Sequence, residues 1–394
     1  MFVKTLISLS LSSLLLAQSS NDFQKTQMGA FENQKSQFSS YKTGIEDEFN
    51  SYQNSLQKEY DKYTKELSLF WEDPIISTKK RWVAYSEDKK TRTDVDFENE
   101  TIVVETIASS EQEAKEKLKK ALANVVTIDT KKAHESDLLE QRLSKIKKPS
   151  YMADDEIKAE PILSTVIFDK EPSKDALISY VNEKAKDENI RSSSSKKVKG
   201  ERIYTLNVSM PSDAMLKRSK IYYEEVKKQS LKQNIPVPLI FAVIHSESSY
   251  NPRARSHIPA YGLMQIVPKT AGIDSYLFLY KEKKIVSGSY LYNSKNNITM
   301  GSAYLHILYY KYLNKIKDPQ SRLYCTIAAY NTGAGNVAWA FAKTNNMHKA
   351  APIINSMTPN EVYDALLRDL KYSEPKEYLK KVSKRMLSYH KAYQ

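Results

Sequence analysis

The sequence has few residues that staple or bend a chain. It has one cysteine in 394 residues, Cys325, so no disulfide framework and no cysteine-built metal site can form within the chain. Cys325 lies between Tyr324 and Thr326 in an apolar helical run, where a small core residue is expected rather than a nucleophile. Glycine is scarce at 9, and lysine plus arginine reach 60, a balance that leans helical. There are 6 histidines, and none joins Asp or Glu at metal-ligand spacing, so no metal and no cofactor is expected. No internal repeat is present. Only one apolar run stands out, Leu6 to Leu16, and it is too short to span a bilayer.

That run follows Lys4 and ends in Leu-Leu-Ala-Gln at 15–18, so residues 1–17 read as an export signal with cleavage after Ala17. An uncleaved N-terminal helix is the alternative. Export places the protein in the periplasm. No cysteine lies near the signal, so lipid attachment there is not expected. Charged residues make up 27% and apolar ones 41%, which predicts a folded chain. Tyrosine is abundant at 27, a residue that suits both sugar contacts and half-buried cores. Residues 213–394 hold 27 Lys/Arg against 12 Asp/Glu, while 22–212 hold 32 against 35. A basic C-terminal half implies an anionic partner. Nucleic acid is not expected, because no recognition motif is present and export argues against it.

The chain reads as an α+β protein in three parts. Residues 22–71 predict one long amphipathic helix. Apolar and aromatic side chains recur at 38, 41, 45, 49, 52, 56, 60, 63 and 67, an 11-residue period that keeps a stripe on one face. That stripe could support self-association or pack against the rest of the chain. Residues 80–212 predict a small α+β accessory domain. Its strands are expected at 81–85, 101–107, 161–168 and 204–210, and its helices at 111–126 and 174–185, with 192–195 as a loop. Residues 213–394 predict an all-helical domain, with helices at 213–233, from Pro238, and at about 297–314, 319–330, 359–370 and 374–392.

One residue has the setting of a catalytic acid. The segment 238–252 reads Pro-Leu-Ile-Phe-Ala-Val-Ile-His-Ser-Glu-Ser-Ser-Tyr-Asn-Pro and is almost wholly apolar until Glu247. An ionised carboxylate is disfavoured beside such a surface, so the proton should be held more tightly. The negative end of the helix dipole acts the same way. Both effects prepare a carboxylic acid that can donate a proton near neutral pH. His245, one step off that face, is read as structural.

Downstream come Pro-Arg-Ala-Arg-Ser at 252–256, Ala-Tyr-Gly-Leu-Met-Gln-Ile at 260–266, Asn297-Ile298 with Gly301, Tyr304-Leu305, Ala-Ala-Tyr-Asn-Thr-Gly-Ala-Gly-Asn-Val at 328–337, and Glu374 with Tyr378. In their order and spacing, these motifs resemble the family 1 lytic transglycosylases over about 239–385. A narrower resemblance is to the membrane-bound C-type branch. It is carried by Thr101-Ile-Val-Val-Glu-Thr-Ile107, the 111–126 helix, and Asn355-Ser-Met-Thr-Pro359 with Val362-Tyr363. The chain departs from that branch in lacking the N-terminal cysteine that carries its lipid.

The resemblance implies a lysozyme-like helical catalytic domain acting on peptidoglycan glycan strands, with peripheral membrane association. It implies that Glu247 protonates the oxygen between MurNAc and GlcNAc, then takes the proton of the MurNAc C6 hydroxyl as a 1,6-anhydro ring closes. Ser256, Gly262, Met264, Gln265, Tyr304, Tyr330, Asn331, Glu374 and Tyr378 are then the expected substrate-binding residues. Tyr330 is expected to hydrogen-bond Glu247 and Asn331 to hold the adjacent loop. Glu374 is expected to position tyrosines or substrate, and it is also the best candidate for a hydrolytic partner. The acids between Glu247 and Tyr330 are Asp274, Glu282 and Asp318, none in a motif. Glycosidases that use water need a second carboxylate. The rival readings are a goose-type muramidase of the same fold and a non-catalytic wall-binding protein.

Overall fold

A computed structural model describes residues 47–256 and 259–393. The expected export signal and the stripe positions 38, 41 and 45 lie outside the described residues. Two compact units are present. The described part of 1–59 and residues 146–149 form one, and 60–145 with 150–393 form the other. Helix α1 covers 47–67. Within its first part the rings of Phe49 and Tyr52 lie 6.4 Å apart.

From residue 60 onward the α1 stripe is used internally. Tyr63 and Leu67 are buried. The Tyr63 ring meets Tyr85 edge-on at 6.3 Å, and the Arg255 guanidinium lies 4.4 Å from the Tyr60 ring centroid. Of the two uses open to the stripe, packing against the chain is the one seen over 60–67.

The accessory sheet is wholly antiparallel. Its strands are β1 (Arg81–Tyr85), β2 (Thr91–Asp96) and β3 (Thr101–Ala108), followed later by β5 and β6. Alternation sets the face of β3, where Ile102, Val104 and Thr106 point inward. Helix α2 (Glu111–Thr127) starts at Ser110, whose side chain accepts from the Glu113 amide, and lays Leu118, Leu122 and Val125 on the sheet. Short helices α3 (Thr130–Glu135) and α4 (Leu138–Leu143) follow, capped by Asp129 and Asp137. The two-residue strand β4 is Met152–Ala153. Helices α5 (Ser164–Phe168) and α6 (Lys174–Lys184) precede β5 (Ile190–Ser194) and β6 (Arg202–Ser209). The strand order is β1-β2-β3-β6-β5.

Several expectations are corrected here. Residues 161–168 are not a strand. An apolar run this short fits either period, and burial of Leu163 and Val166 against the accessory core favours a helical turn. The serines of 192–194 form an edge strand through backbone pairing with β6, which their side chains do not signal. Strand β2 was not expected, and its buried residues include Thr91, Thr93 and Asp94.

The C-terminal half is helical as expected. Its helices are α7 (Ala214–Ile221), α8 (Tyr223–Gln233) and α9 (Val237–Ser248), so the single helix expected over 213–233 is broken at Tyr222. Helix α10 (Ile273–Tyr280) is followed by β7 (Ile285–Val286), which pairs in parallel with β4. Then come α11 (Gly288–Tyr292), α12 (Ser294–Ile307), α13 (Pro319–Thr332), α14 (Ala334–Ala342), α15 (Met347–Asn355), α16 (Pro359–Asp369) and α17 (Ser373–Ala392). Proline opens α13 and α16, where its missing N–H is not needed. Helix α9 is apolar all round, and Leu239 through Ile244 are fully buried, so it forms the centre of this half. No described helix is long and apolar enough to cross a membrane.

Candidate active site

Glu247 occupies the last turn of α9 and is 7% exposed. Burial pushes its carboxyl up to about 7, against opposing pulls from the Tyr378 hydroxyl and Lys79, while the negative charge of Glu374 adds to the rise. The acid that sequence reasoning selected is therefore buried and holds its proton to near neutrality.

The chain leaves α9 through two consecutive left-handed residues that are not glycine, Ser249 at φ 51° and Tyr250 at φ 65°. Such backbone persists only when its surroundings hold it. Here the Ser249 amide donates to the His245 carbonyl at 3.1 Å, the Tyr250 amide donates to Ser248 Oγ at 3.1 Å, and the Tyr250 ring stacks on Tyr222 at 6.2 Å. His245 Nδ1 lies 3.0 Å from the Tyr389 hydroxyl, and burial lowers its pKa to about 3. It is a neutral packing residue, as expected.

The loop 260–266 is fastened directly to this helix end. Ser248 Oγ donates to the Leu263 carbonyl at 2.8 Å. Asn297 on α12 is the main clamp. It accepts from the Met264 amide at 2.7 Å and donates to the Tyr261 and Leu291 carbonyls at 2.7 and 2.9 Å. Gly262 has φ 73°, and an added Cβ would sit 2.4 Å from the Leu291 oxygen and 2.3 Å from Asn297 Nδ2. Met264 packs on Gly301, where an added Cβ would meet its sulfur at 2.3 Å. Gln265 is also left-handed, at φ 48°, and its Nε2 donates to the Gly262 carbonyl at 3.0 Å.

Tyr330 and Tyr378 converge on Glu247 and feel its charge. The Tyr330 hydroxyl donates to the Met264 carbonyl at 2.9 Å, not to Glu247 as expected. It thereby ties α13 to the 260–266 loop. Tyr304 packs edge-on against Tyr330 at 5.6 Å. The Tyr378 hydroxyl lies near Glu247 but forms no well-shaped hydrogen bond with any described residue. Gln265 Oε1 is likewise buried and unpartnered. Buried polar atoms without partners are uncommon, and here two of them fall on motif residues.

The remaining candidates sit differently. Ser256 bonds locally: its backbone and Oγ pair with Ala260 at 3.1 Å, closing the loop that carries it. Asn331 is half-buried at the end of α13, and its side chain makes no hydrogen bond to the described residues, so the expected clamp role falls to Asn297. Glu374 opens α17, with its side chain 70% exposed and 3.6 Å from Lys79 Nζ. It lies at the site but is not packed among the tyrosines. Asn297 stood among the motif residues but was given no role, because its three partners are backbone amide and carbonyl groups that no side-chain pattern signals.

The chain matches two family models. Residues 224–353 match the transglycosylase SLT domain, and 49–220 match the N-terminal domain of membrane-bound lytic murein transglycosylase C. The membrane-bound lytic murein transglycosylase C of Serratia proteamaculans (strain 568) is 34% identical over 320 residues, covering 80% of this chain and 84% of that protein. Its counterpart in Shigella sonnei (strain Ss046) is 33% identical over 81% of this chain and 85% of that one. Among solved structures, the 70-kDa soluble lytic transglycosylase of Escherichia coli is similar over 45% of this chain and 25% of that one, at 24% identity and a TM-score of 0.35. The two family models define a lytic transglycosylase domain preceded by a C-type N-terminal domain. The chain belongs to the membrane-bound lytic murein transglycosylase C family.

Proposed function

We propose that this protein is a peptidoglycan lytic transglycosylase that cleaves the β-1,4 bond between MurNAc and GlcNAc and leaves 1,6-anhydroMurNAc. The observation that carries this reading is one buried carboxylic acid, Glu247, with its pKa raised to about 7 and, among the described residues, no second buried carboxyl packed against it. As an acid it gives its proton to the departing glycosidic oxygen. As a carboxylate it then removes the proton of the C6 hydroxyl, which closes onto C1, so no water is consumed and the group ends in its starting state.

The other acids of this stretch are committed elsewhere. Asp318 caps α13, Glu282 pairs with Lys284 at 2.8 Å, and Asp274 accepts from the Tyr312 hydroxyl at 2.8 Å. A water-using enzyme would need one of them, or Glu374, to hold the nucleophile. The unpartnered Gln265 Oε1 and Tyr378 Oη suit sugar hydroxyl and acetamido groups. Ser256, Gly262, Tyr304, Tyr330, Asn331 and Glu374 complete the proposed groove, while Met264, expected to line it, is fully buried against Gly301 and supports the loop from beneath. In this reading residues 1–17 are the export signal, 80–212 the accessory domain and 213–394 the catalytic domain. The protein then works in the periplasm, with peripheral membrane attachment and self-association through 22–71 as further parts of the same proposal.

Mass spectrometry of digested sacculi tests the chemistry. Anhydro ends are expected from the wild type, and reducing ends would indicate hydrolysis. Glu374→Gln is expected to keep anhydro products with less than about a ten-fold loss of rate, the scale of a positioning contact rather than of a general base. Conversion to an inactive enzyme would make Glu374 a second catalytic carboxyl.

The pH dependence follows from Glu247. It must be protonated to start the reaction, so kcat/KM is expected to fall as pH rises through about 7. A pH–rate profile in which that limb lies near the ordinary carboxylate pKa would contradict the assignment.

A further inference from the structure

We infer that Lys79, supplied by the segment that leads into β1, binds a carboxylate of the stem peptides on the glycan strand and so registers the strand over Glu247. This rests on the transglycosylase reading above.

Lys79 precedes β1, yet its backbone is fastened to the catalytic half. Its carbonyl accepts from Asn251 Nδ2 at 3.4 Å, and the neighbouring Thr78 carbonyl accepts from the Arg255 amide at 3.4 Å. Asn251 and Arg255 follow Glu247 by four and eight residues in the chain. The lead-in to β1 therefore touches the segment that leaves the catalytic acid, and the residue at that contact is a lysine. Its ammonium lies 3.6 Å from Glu374, and both side chains are well exposed, at 42% and 70%. The neighbouring cations are already engaged: Lys80 pairs with Glu98, and Arg385 donates to Ser246 Oγ at 2.9 Å. Of Lys79 and Lys80, Lys79 is the more exposed, at 42% against 16%.

An exposed ion pair contributes little, so exchanging Glu374 for another carboxylate is close to neutral in free energy. Peptide-substituted strands carry such carboxylates, and the catalytic half is basic. A lysine held by its backbone beside the acid, with a replaceable partner, can take one of them.

Steady-state kinetics of wild type, Lys79→Met and Lys79→Arg test this, on native sacculi and on sacculi whose carboxylates have been amidated. Amidation should raise the wild-type KM about five-fold, the scale of one partly exposed ion pair. Lys79→Met should show the same rise on native sacculi and no further rise on amidated ones, with kcat changed less than about two-fold. Lys79→Arg should behave as wild type. Equal losses by Lys79→Met on both substrates, or a wild type indifferent to amidation, would overturn the assignment. So would a moved pH limb without a KM effect, because Lys79 would then act only through the charge on Glu247. Either failure would leave anhydro products and dependence on Glu247 intact, whereas failure of the underlying reading would appear as reducing ends from the wild type.

Discussion

Glu247→Gln is expected to lower the rate of anhydro-product release from sacculi by roughly a thousand-fold, within the range for loss of a general acid. The loss should fall on kcat more than on KM, because the proton transfers belong to the transition state. The amide keeps the size of the side chain, so the groove should survive.

The same substitution has an opposite effect on stability. The folded carboxyl titrates near 7, above its ordinary value of 4.5. A group raised in the folded state stabilises below its unfolded pKa and loses that contribution as pH rises through the folded one. An uncharged glutamine escapes this loss. Thermal unfolding should therefore show the variant gaining on the wild type between about pH 4.5 and 7, by a few kcal/mol at pH 8 and little at pH 4, at about 1.4 kcal/mol per pKa unit. Equal unfolding temperatures at pH 8 would show that Glu247 is hydrated rather than buried.

The second large effect is expected at Gly262. Alanine there would combine a left-handed φ of 73° with a Cβ 2.4 Å from a backbone oxygen and 2.3 Å from the Asn297 amide nitrogen. Neither neighbour can yield, because Asn297 Nδ2 already holds the Tyr261 and Leu291 carbonyls. The conformational part alone is about 1 kcal/mol, and the overlap adds about 1–3 kcal/mol. The loop should detach from α12, taking Met264 and Gln265 with it. Gly262→Ala is expected to lower the unfolding free energy by about 2–4 kcal/mol and to reduce activity by more than about ten-fold at a temperature where the variant remains folded. Calorimetry with kinetics on the same preparation checks both. Near-normal stability and activity would mean that the loop is not held as described.

What the residues alone revealed follows from how each one works. The apolar run marked Glu247 as a candidate, but a glutamate at a helix end is more often solvated, and the ordered family motifs downstream were what selected it. Helices α9, α12, α13, α16 and α17 were legible from period and proline placement, as at Pro319 and Pro359, whereas α10, α11, α14 and α15 were not. Strand β2 was not, because its sequence Thr-Arg-Thr-Asp-Val-Asp buries threonines and an aspartate paired with Arg81, so polarity concealed the alternation. Strand β5 was not, because its three serines and arginine carry no apolar alternation, and it is held on the β6 side chiefly by backbone pairing. Tyr330 and Tyr378 were chosen through family resemblance. The partner of Tyr330, the Met264 carbonyl, is a backbone atom, and no side-chain pattern points to it. Lys79 was invisible for a different reason: it is one basic residue among 60, and only its contact with the segment after Glu247 sets it apart.

The most direct measurement is digestion of sacculi in water enriched in oxygen-18, followed by mass analysis of the fragments. If one proton-shuttling carboxyl closes the sugar on itself, the wild type should release 1,6-anhydro ends carrying no solvent oxygen, and Glu247→Gln should release almost nothing. Incorporation of one labelled oxygen at each cut, or lysis undiminished in the variant, would contradict the account.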